Sequence, residues 1–226
     1  MHSQIFSDRQ KELLPLIKKY RRNYYLVGGT AIALHIGHRY SIDFDLFTLE
    51  KINSTGIKKD VAVSGFSSFI IKSLPDQIHF IVNEVKLTFF QYPFSIESKV
   101  EYGDYFKMPD LITLAAMKAF ALGGRGKWKD YVDLYFLIKG FYSIEEIAEK
   151  AKEIFNDSFN PILFKKQLCY FEDINYSEAV DFLPGFETDE NIIKEFLIVR
   201  KFSCTTSNVT DNSLKVWCLS PRSCDG

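Results

Sequence analysis

The stretch from Tyr24 to Phe47, YYLVGGTAIALHIGHRYSIDFDLF, constrains the fold of this chain more than any other. Tyr24-Tyr25-Leu26-Val27 is a short apolar, β-prone run that stops at Gly28-Gly29. Thr30 to Ile36 has the composition of a compact helix closing at Gly37, where a left-handed residue can end it. Ser41 to Phe47 then alternates, so Asp43 and Asp45 are predicted on one face of a second strand, with Cα atoms about 6.6 Å apart. Such a strand, glycine turn, helix and acidic strand set an anion site beside a cation site. Unpaired N–H groups at a helix N-terminus attract phosphate. Glycine admits a ligand close to the backbone, and the Thr30 hydroxyl is a further donor. Two carboxylates on one face suit a hard cation such as Mg²⁺, which takes its other ligands from water and phosphate. The alternative for the acids is a solvated strand edge. Ile42, Phe44, Leu46 and Phe47 argue for a buried strand instead, and buried like charges need a partner.

Composition narrows the function classes. Length is sufficient for one large domain or two lobes around a sizeable core. A formal net charge of −1 excludes a global basic field for nucleic acid, so any such surface is local. No apolar run reaches the length of a membrane span, and the first residues lack a signal-peptide pattern. Cys169 is isolated in the body, while Cys204, Cys218 and Cys224 fall in the last residues at spacings that match no zinc motif. A cytoplasmic enzyme or binding protein is the expectation.

Ser7-Asp8-Arg9-Gln10 reads as a capping box before a helix whose stripe is Leu13, Leu14, Ile17 and Tyr20, kinked or shortened by Pro15. Lys18, Lys19, Arg21 and Arg22 read as a solvated helix end. His35 and His38 lack a third ligand at suitable spacing and are read as structural or supporting. Lys51 to Asp60 reads as a loop or weak helix. Phe66–Lys72, Gln77–Val82 and Val85–Phe90 read as an antiparallel extension of the sheet, with a turn at Pro75-Asp76 and a hairpin at Asn83-Glu84. Glu84, Lys86, Thr88 and Phe90 are placed on one face of the last strand.

From Pro109 the pattern turns helical. Asp110 caps a helix to Leu122, with Gly123-Gly124 as the stop. Only Lys118 interrupts its apolar sequence; it either reaches solvent or points its ammonium at a ligand phosphate. Gly124-Arg125-Gly126-Lys127-Trp128-Lys129 is a basic, glycine-rich loop fit to close over an anion. In the next helix, Asp130 to Ile138, Asp130 and Asp133 share a face. Asp130 is explicable as an acid at a helix N-terminus; Asp133, one turn in among aromatics, is not. Further on, Ser143-x-x-Glu146 caps a helix to about Phe155, Asn160-Pro161 opens another, and a last amphipathic helix runs over 189–202. Residues 204–226 read as a poorly ordered tail.

The blocks GGTA…HR-x-S-x-D-x-D-L-F and MKAFAL-x-x-RGK-x-KD-x-x-DLYFL resemble the AbiEii-type nucleotidyltransferase toxins of bacterial toxin–antitoxin and abortive-infection systems, within the polymerase-β-like superfamily. The resemblance covers roughly residues 10–140. It implies an α/β (α+β) fold, with an N-terminal mixed β-sheet nucleotidyltransferase lobe (1–95) and a helical C-terminal lobe (96–203) closing a nucleotide cleft. By motif, it assigns Gly28, Gly29, Thr30 and Ser41 to the nucleoside triphosphate and Asp43 and Asp45 to Mg²⁺, for which Mn²⁺ can substitute. It assigns Lys118, Lys129 and Asp130 to completion of the site, with Arg39, Arg125 and Asp133 as further candidates. Thr88 departs from the pattern, since many relatives carry a third metal-binding Asp there. Glu84 shares its face but lies nearer the hairpin.

The resemblance implies transfer of a nucleoside monophosphate from an NTP to an RNA, such as the tRNA 3′ end, or to a protein hydroxyl, together with a cognate antitoxin and no membrane. A nucleotide-binding partner protein with little turnover, and a kinase-like toxin using the γ-phosphate, are the alternatives.

Overall fold

The structure, a computed structural model, describes residues 1–203. The expected tail at 204–226, with three of the cysteines, lies outside the described residues. A mixed five-stranded sheet forms the N-terminal half. Its strands are β1 (Tyr25–Val27), β2 (Phe44–Thr48), β3 (Ser68–Ser73), β4 (Gln77–Val82) and β5 (Val85–Gln91), in the order β1-β2-β5-β4-β3. The β2–β5 pair is parallel, and the other neighbours are antiparallel. Asn83 and Glu84 both take positive φ (51° and 63°), the geometry that lets a two-residue turn follow the twist of its strands. That turn fixes the register from Val82↔Val85 to Gln77↔Phe90.

Alternation along the strands gives the sheet one dry face and one open face. Phe44 and Leu46 of β2, Leu87 and Phe89 of β5, and Ile78, Phe80 and Val82 of β4 are all buried on the dry face. Helix α1 (Asp8–Lys18) and the turn after it cover that face, with Tyr20 packing edge-on against Phe89 at 4.7 Å and Phe6 against Phe44 at 5.8 Å. The capping box forms at Ser7 and Gln10, and Pro15 sits inside the helix on its exposed side, where the carbonyl it leaves unpaired can meet water. The charges after α1 are solvated ion pairs, Lys18 with Asp104, Lys19 with Asp60 and Arg21 with Glu101. Helix α3 (Ser54–Ala62) forms where a loop or weak helix was expected, because Asn53 caps it and Ile57 and Val61 give it a buried stripe.

Helix α2 (Gly28–Ile36) follows β1 without a linker and ends at Gly37 in the left-handed region. A hairpin of β6 (Val100–Tyr102) and β7 (Phe106–Met108) leads to α4 (Leu111–Leu122), whose N-cap Asp110 accepts from the Thr113 N–H. Helices α5 (Trp128–Gly140), α6 (Ile144–Phe155), α7 (Pro161–Gln167) and α8 (Glu190–Ser203) complete the described chain. Among the described residues no helix is long and apolar enough to cross a membrane.

An aromatic cluster joins the end of the sheet to these helices. Phe155 of α6 stacks on Phe120 of α4 at 4.2 Å and meets Phe94, in the segment after β5, edge-on at 4.9 Å. Phe155 is 1% exposed. Truncation there leaves a cavity between rigid helices, so Phe155→Ala is expected to lower the unfolding free energy by about 3–5 kcal/mol in urea denaturation.

Candidate active site

The open face of the sheet forms the floor of a cleft of about 480 Å³, and α4 with the α4–α5 loop forms its opposite wall. Two rows of register partners line the floor. Phe47, Phe90 and Gln77 make the first, and Asp45, Thr88 and His79 the second. Lys86 and Asp43 extend the floor toward the start of β2. The alternation expected for Asp43 and Asp45 thus puts both carboxylates in one cleft. The strand itself begins at Phe44, so Asp43 sits on its lead-in, and Ile42 is exposed rather than buried.

The glycine pair is more confined than a phosphate turn requires. Gly28 has φ +72°, and a Cβ there would lie 2.5 Å from Asp45 Oδ2. A Cβ on Gly29 would lie 2.2 Å from an Arg39 Nη atom. The two positions lack side chains because a carboxylate and a guanidinium pack directly over them. The Thr30 hydroxyl, expected as a phosphate donor, is buried; it donates to the Asp43 carbonyl and lies 2.9 Å from Ser41 Oγ. Its role here is to hold the lead-in to β2. Gly28, Gly29, Arg39 and Ser41 line the cleft.

Behind the cleft lies a buried charge network centred on Asp133. Its carboxylate accepts from Arg39 Nε (2.8 Å) and Nη2 (3.0 Å) and from His38 Nε2 (2.8 Å), and pairs with Lys118 Nζ (2.9 Å). Lys118 also donates to Asp130 Oδ1 at 2.8 Å, and Arg125 Nε donates to Asp130 Oδ2 at 3.2 Å. Burial opposes ionisation of Asp133, but Arg39 and Lys118 hold its carboxyl well below the usual range. Burial likewise works against the Lys118 ammonium, and Asp130 and Asp133 lift it above its ordinary value. His38 is pushed down by burial despite Asp133, so its neutral ring donates from Nε2. Lys118 therefore does not reach out to solvent; it lines the cleft with its ammonium paired to two buried carboxylates. Asp133, unexplained as a surface acid, is its anchor. His35 bonds the Pro109 carbonyl at 3.2 Å, in line with a structural role.

Asp43 and Asp45 are the donors that a cation in this cleft would meet. Burial first, and the adjacent Asp45 second, push the Asp43 carboxyl above its ordinary value. Neither acid forms an ion pair among the described residues, and no group of three or more His, Cys, Asp or Glu there fits a metal ion. Two carboxylates opening on a cleft without an ion pair among the described residues fit a hard cation that draws its remaining ligands from water and substrate. They do not form a closed cage.

Two cleft residues escaped the sequence reading. Glu178, in the segment between α7 and α8, accepts from Lys127 at 2.5 Å and pairs with Lys129 at 3.4 Å. The Lys127 bond draws its carboxyl down to about 2. This segment crosses the cleft rim: Asn175 exchanges backbone bonds with Gly126 and Trp128, and Asp181 and Leu183 bond the backbone of Tyr40 and His38. No local pattern announces so long-range a contact. His79 is the second, and the hairpin register places it opposite Thr88. Glu84, by contrast, lies in the turn, pairs with Arg9 and does not line the cleft.

The site thus combines a mixed sheet with paired acids on its open face, a glycine-led helix at its edge and a helical wall opposite. Solved structures of similar fold include a candidate nucleotidyltransferase of H. pylori, with a TM-score of 0.58 at 21% identity over 88% of this chain and 95% of that one. The MenT4 nucleotidyltransferase toxin of Mycobacterium tuberculosis also has a TM-score of 0.58, at 14% identity over 87% of this chain and 82% of that one. At such identities the likeness is one of fold. The family model "Nucleotidyl transferase AbiEii toxin, Type IV TA system" matches residues 17–109. An uncharacterized protein of Aquifex aeolicus is 32% identical over 179 residues, 76% of this chain and 85% of that protein. The chain belongs to the AbiEii nucleotidyltransferase toxin family, and is an enzyme of the nucleotidyltransferase class.

Removing the anchor of the buried network strands two cations. Asp133→Ala is expected to cost about 3–5 kcal/mol of stability, measured by urea unfolding at neutral pH. The folded-state carboxyl lies below the ordinary 3.8, so its contribution is complete above that pH and is lost as pH falls toward the folded value. The gap between wild type and Asp133→Ala is therefore expected to narrow when unfolding is repeated at successively lower pH.

Proposed function

We propose that this protein transfers a nucleoside monophosphate from an NTP to a hydroxyl on RNA, with the tRNA 3′ end as the leading acceptor and a protein hydroxyl as the other. The observation that carries this reading is the pair Asp43 and Asp45, without ion-pair partners among the described residues, in the same cleft as Arg125, Lys127 and Lys129. The triphosphate lies between them, its charge met by the basic loop and by the N–H groups that begin α2 at Gly28 and Gly29. Mg²⁺ or Mn²⁺ held by Asp43 and Asp45 supplies neutralisation of developing charge and a lower pKa for the attacking hydroxyl. Asp130 keeps Arg125 at the lip of the cleft, and Lys118 keeps Asp130 in place. In this reading 1–95 and 96–203 act as the two walls, and the apolar floor around Phe47 and Phe90 receives the base.

The protein acts as the toxin of a two-gene system in the cytoplasm, where NTP and RNA are present, and its activity is countered by a cognate antitoxin. The family's type IV toxin–antitoxin description supports this assignment.

One feature favours a second reading, nucleotide binding with little turnover. Thr88 occupies the strand position beside Asp45, where the family resemblance leads one to expect a third carboxylate. The reaction product separates the cases. Pyrophosphate marks nucleotidyl transfer, nucleoside diphosphate marks a kinase-like reaction, and calorimetric binding without either marks a binder. Incubation with Mg²⁺, α-labelled NTPs, total tRNA and a soluble protein extract is expected to label RNA, and Asp45→Ala is expected to abolish labelling. Equal labelling by Asp45→Ala would rule out the cation site.

A further inference from the structure

The second row of the cleft floor holds a further chemical feature. Across the β4–β5 hairpin, His79 is the register partner of Thr88, and Thr88 is in turn the partner of Asp45 on β2. His79 Nε2 lies 2.8 Å from Gln77 Oε1, and Nδ1 lies 3.3 Å from Thr88 Oγ1. Gln77, His79 and Thr88 all line the cleft. An amide oxygen only accepts, so Gln77 fixes the proton on Nε2. Nδ1 is left as a bare acceptor aimed at the Thr88 hydroxyl. A group that orients a histidine, a histidine and a hydroxyl in series is the arrangement that removes a proton from an attacking oxygen.

We propose that Thr88 and His79 form the proton relay for the acceptor hydroxyl, with Gln77 as the positioning residue. The proposal rests on the nucleotidyl-transfer reading above. As the acceptor oxygen bonds to the α-phosphorus, its proton passes to Thr88 Oγ1, and the Thr88 proton passes to His79 Nδ1. The bond from the α-phosphorus to its bridging oxygen breaks, and pyrophosphate leaves with the electron pair. The imidazolium then returns its proton to water.

The surroundings keep the ring ready to accept. Burial, followed by the charges of Lys86 on β5 and Lys72 on β3, lowers His79 below its ordinary value, while Asp45 on β2 opposes them. Thr88, on the other side, is uncharged. The neutral ring therefore prevails at pH 7, and the relay fails as pH falls through the His79 pKa.

Two measurements test this, one of them independent of turnover. Nitrogen NMR of His79 in the free protein is expected to show the Nε2–H tautomer and a pKa below 6.5; the Nδ1–H tautomer would overturn the relay whatever the activity. Single-turnover transfer to total tRNA from α-labelled NTPs then reads the chemistry. His79→Gln and Thr88→Val are each expected to fall about 100-fold or more and to lose the acid limb of the pH profile, while Thr88→Ser is expected to retain both rate and limb. Gln77→Glu sets a carboxylate against the ring and is expected to move that limb upward by about one pH unit, a shift that a purely structural role does not produce. A wild-type rate and limb in His79→Gln would overturn the relay and leave nucleotidyl transfer standing. Absence of transfer in the wild type itself would remove that reading and the relay with it.

Discussion

The Asp133 carboxylate is where this fold is tied together. It is fully buried and takes bonds from the loop after α2, through His38 and Arg39, while pairing with Lys118 of α4. Moving ions out of water costs several kcal/mol each, and that cost is offset only when every partner is present with good geometry. Arg39 and Lys118 face Asp130 and Asp133, so the buried charges balance. Because the partners come from separate elements, none of them is satisfied until all are assembled. The network also sets the back wall of the cleft: Arg39 can reach Asp133 only by passing over Gly29, where there is no Cβ. The glycine pair is thus required by the protein's own charges before any ligand arrives.

The two-faced sheet follows from simpler causes. Period-two alternation on β2, β4 and β5 sends Phe44, Leu46, Leu87, Phe89 and Phe80 to one side, where α1 covers them. Acids, a histidine, a threonine and a lysine go to the other. A slip of one residue in the β4–β5 register would exchange the faces. The positive-φ pair Asn83 and Glu84 holds the hairpin against that slip, so a turn far from the chemistry decides which residues face the cleft.

Local signals made much of this readable beforehand. Capping boxes at Ser7 and Ser143, the Asp110 cap, the Gly37 stop and the strand alternation are short-range effects, and the elements form where those effects put them. Asp43 and Asp45 share the cleft because alternation is a property of the backbone. His79 is legible in principle, since a two-residue turn at 83–84 pairs residue 79 with residue 88. At Lys118 and Thr30 the structure adds what a motif does not carry. Motif resemblance assigns a residue type to a ligand, whereas in this chain those groups also bond within the protein, Lys118 to Asp130 and Asp133 and Thr30 to the Asp43 carbonyl. Glu178 was invisible, since only tertiary folding brings residue 178 to Lys127 and Lys129.

The spacing of the second block can now be given a physical reason. Asp130 and Asp133 lie one turn apart on α5 so that a single ammonium, Lys118, sits between their carboxylates. The bonds then run outward from the most buried acid: Asp133 to Lys118, Lys118 to Asp130, and Asp130 to Arg125. Along that line exposure rises from nothing at Asp133 to about half at the Arg125 side chain. Arg125 is held through Nε alone, and among the described residues no hydrogen bond engages its Nη atoms. An arginine pinned at one edge of its plane keeps the other edge for an anion and has already given up much of its rotamer freedom before one binds. The buried end of the chain supplies rigidity, and the exposed end presents the charge to the cleft.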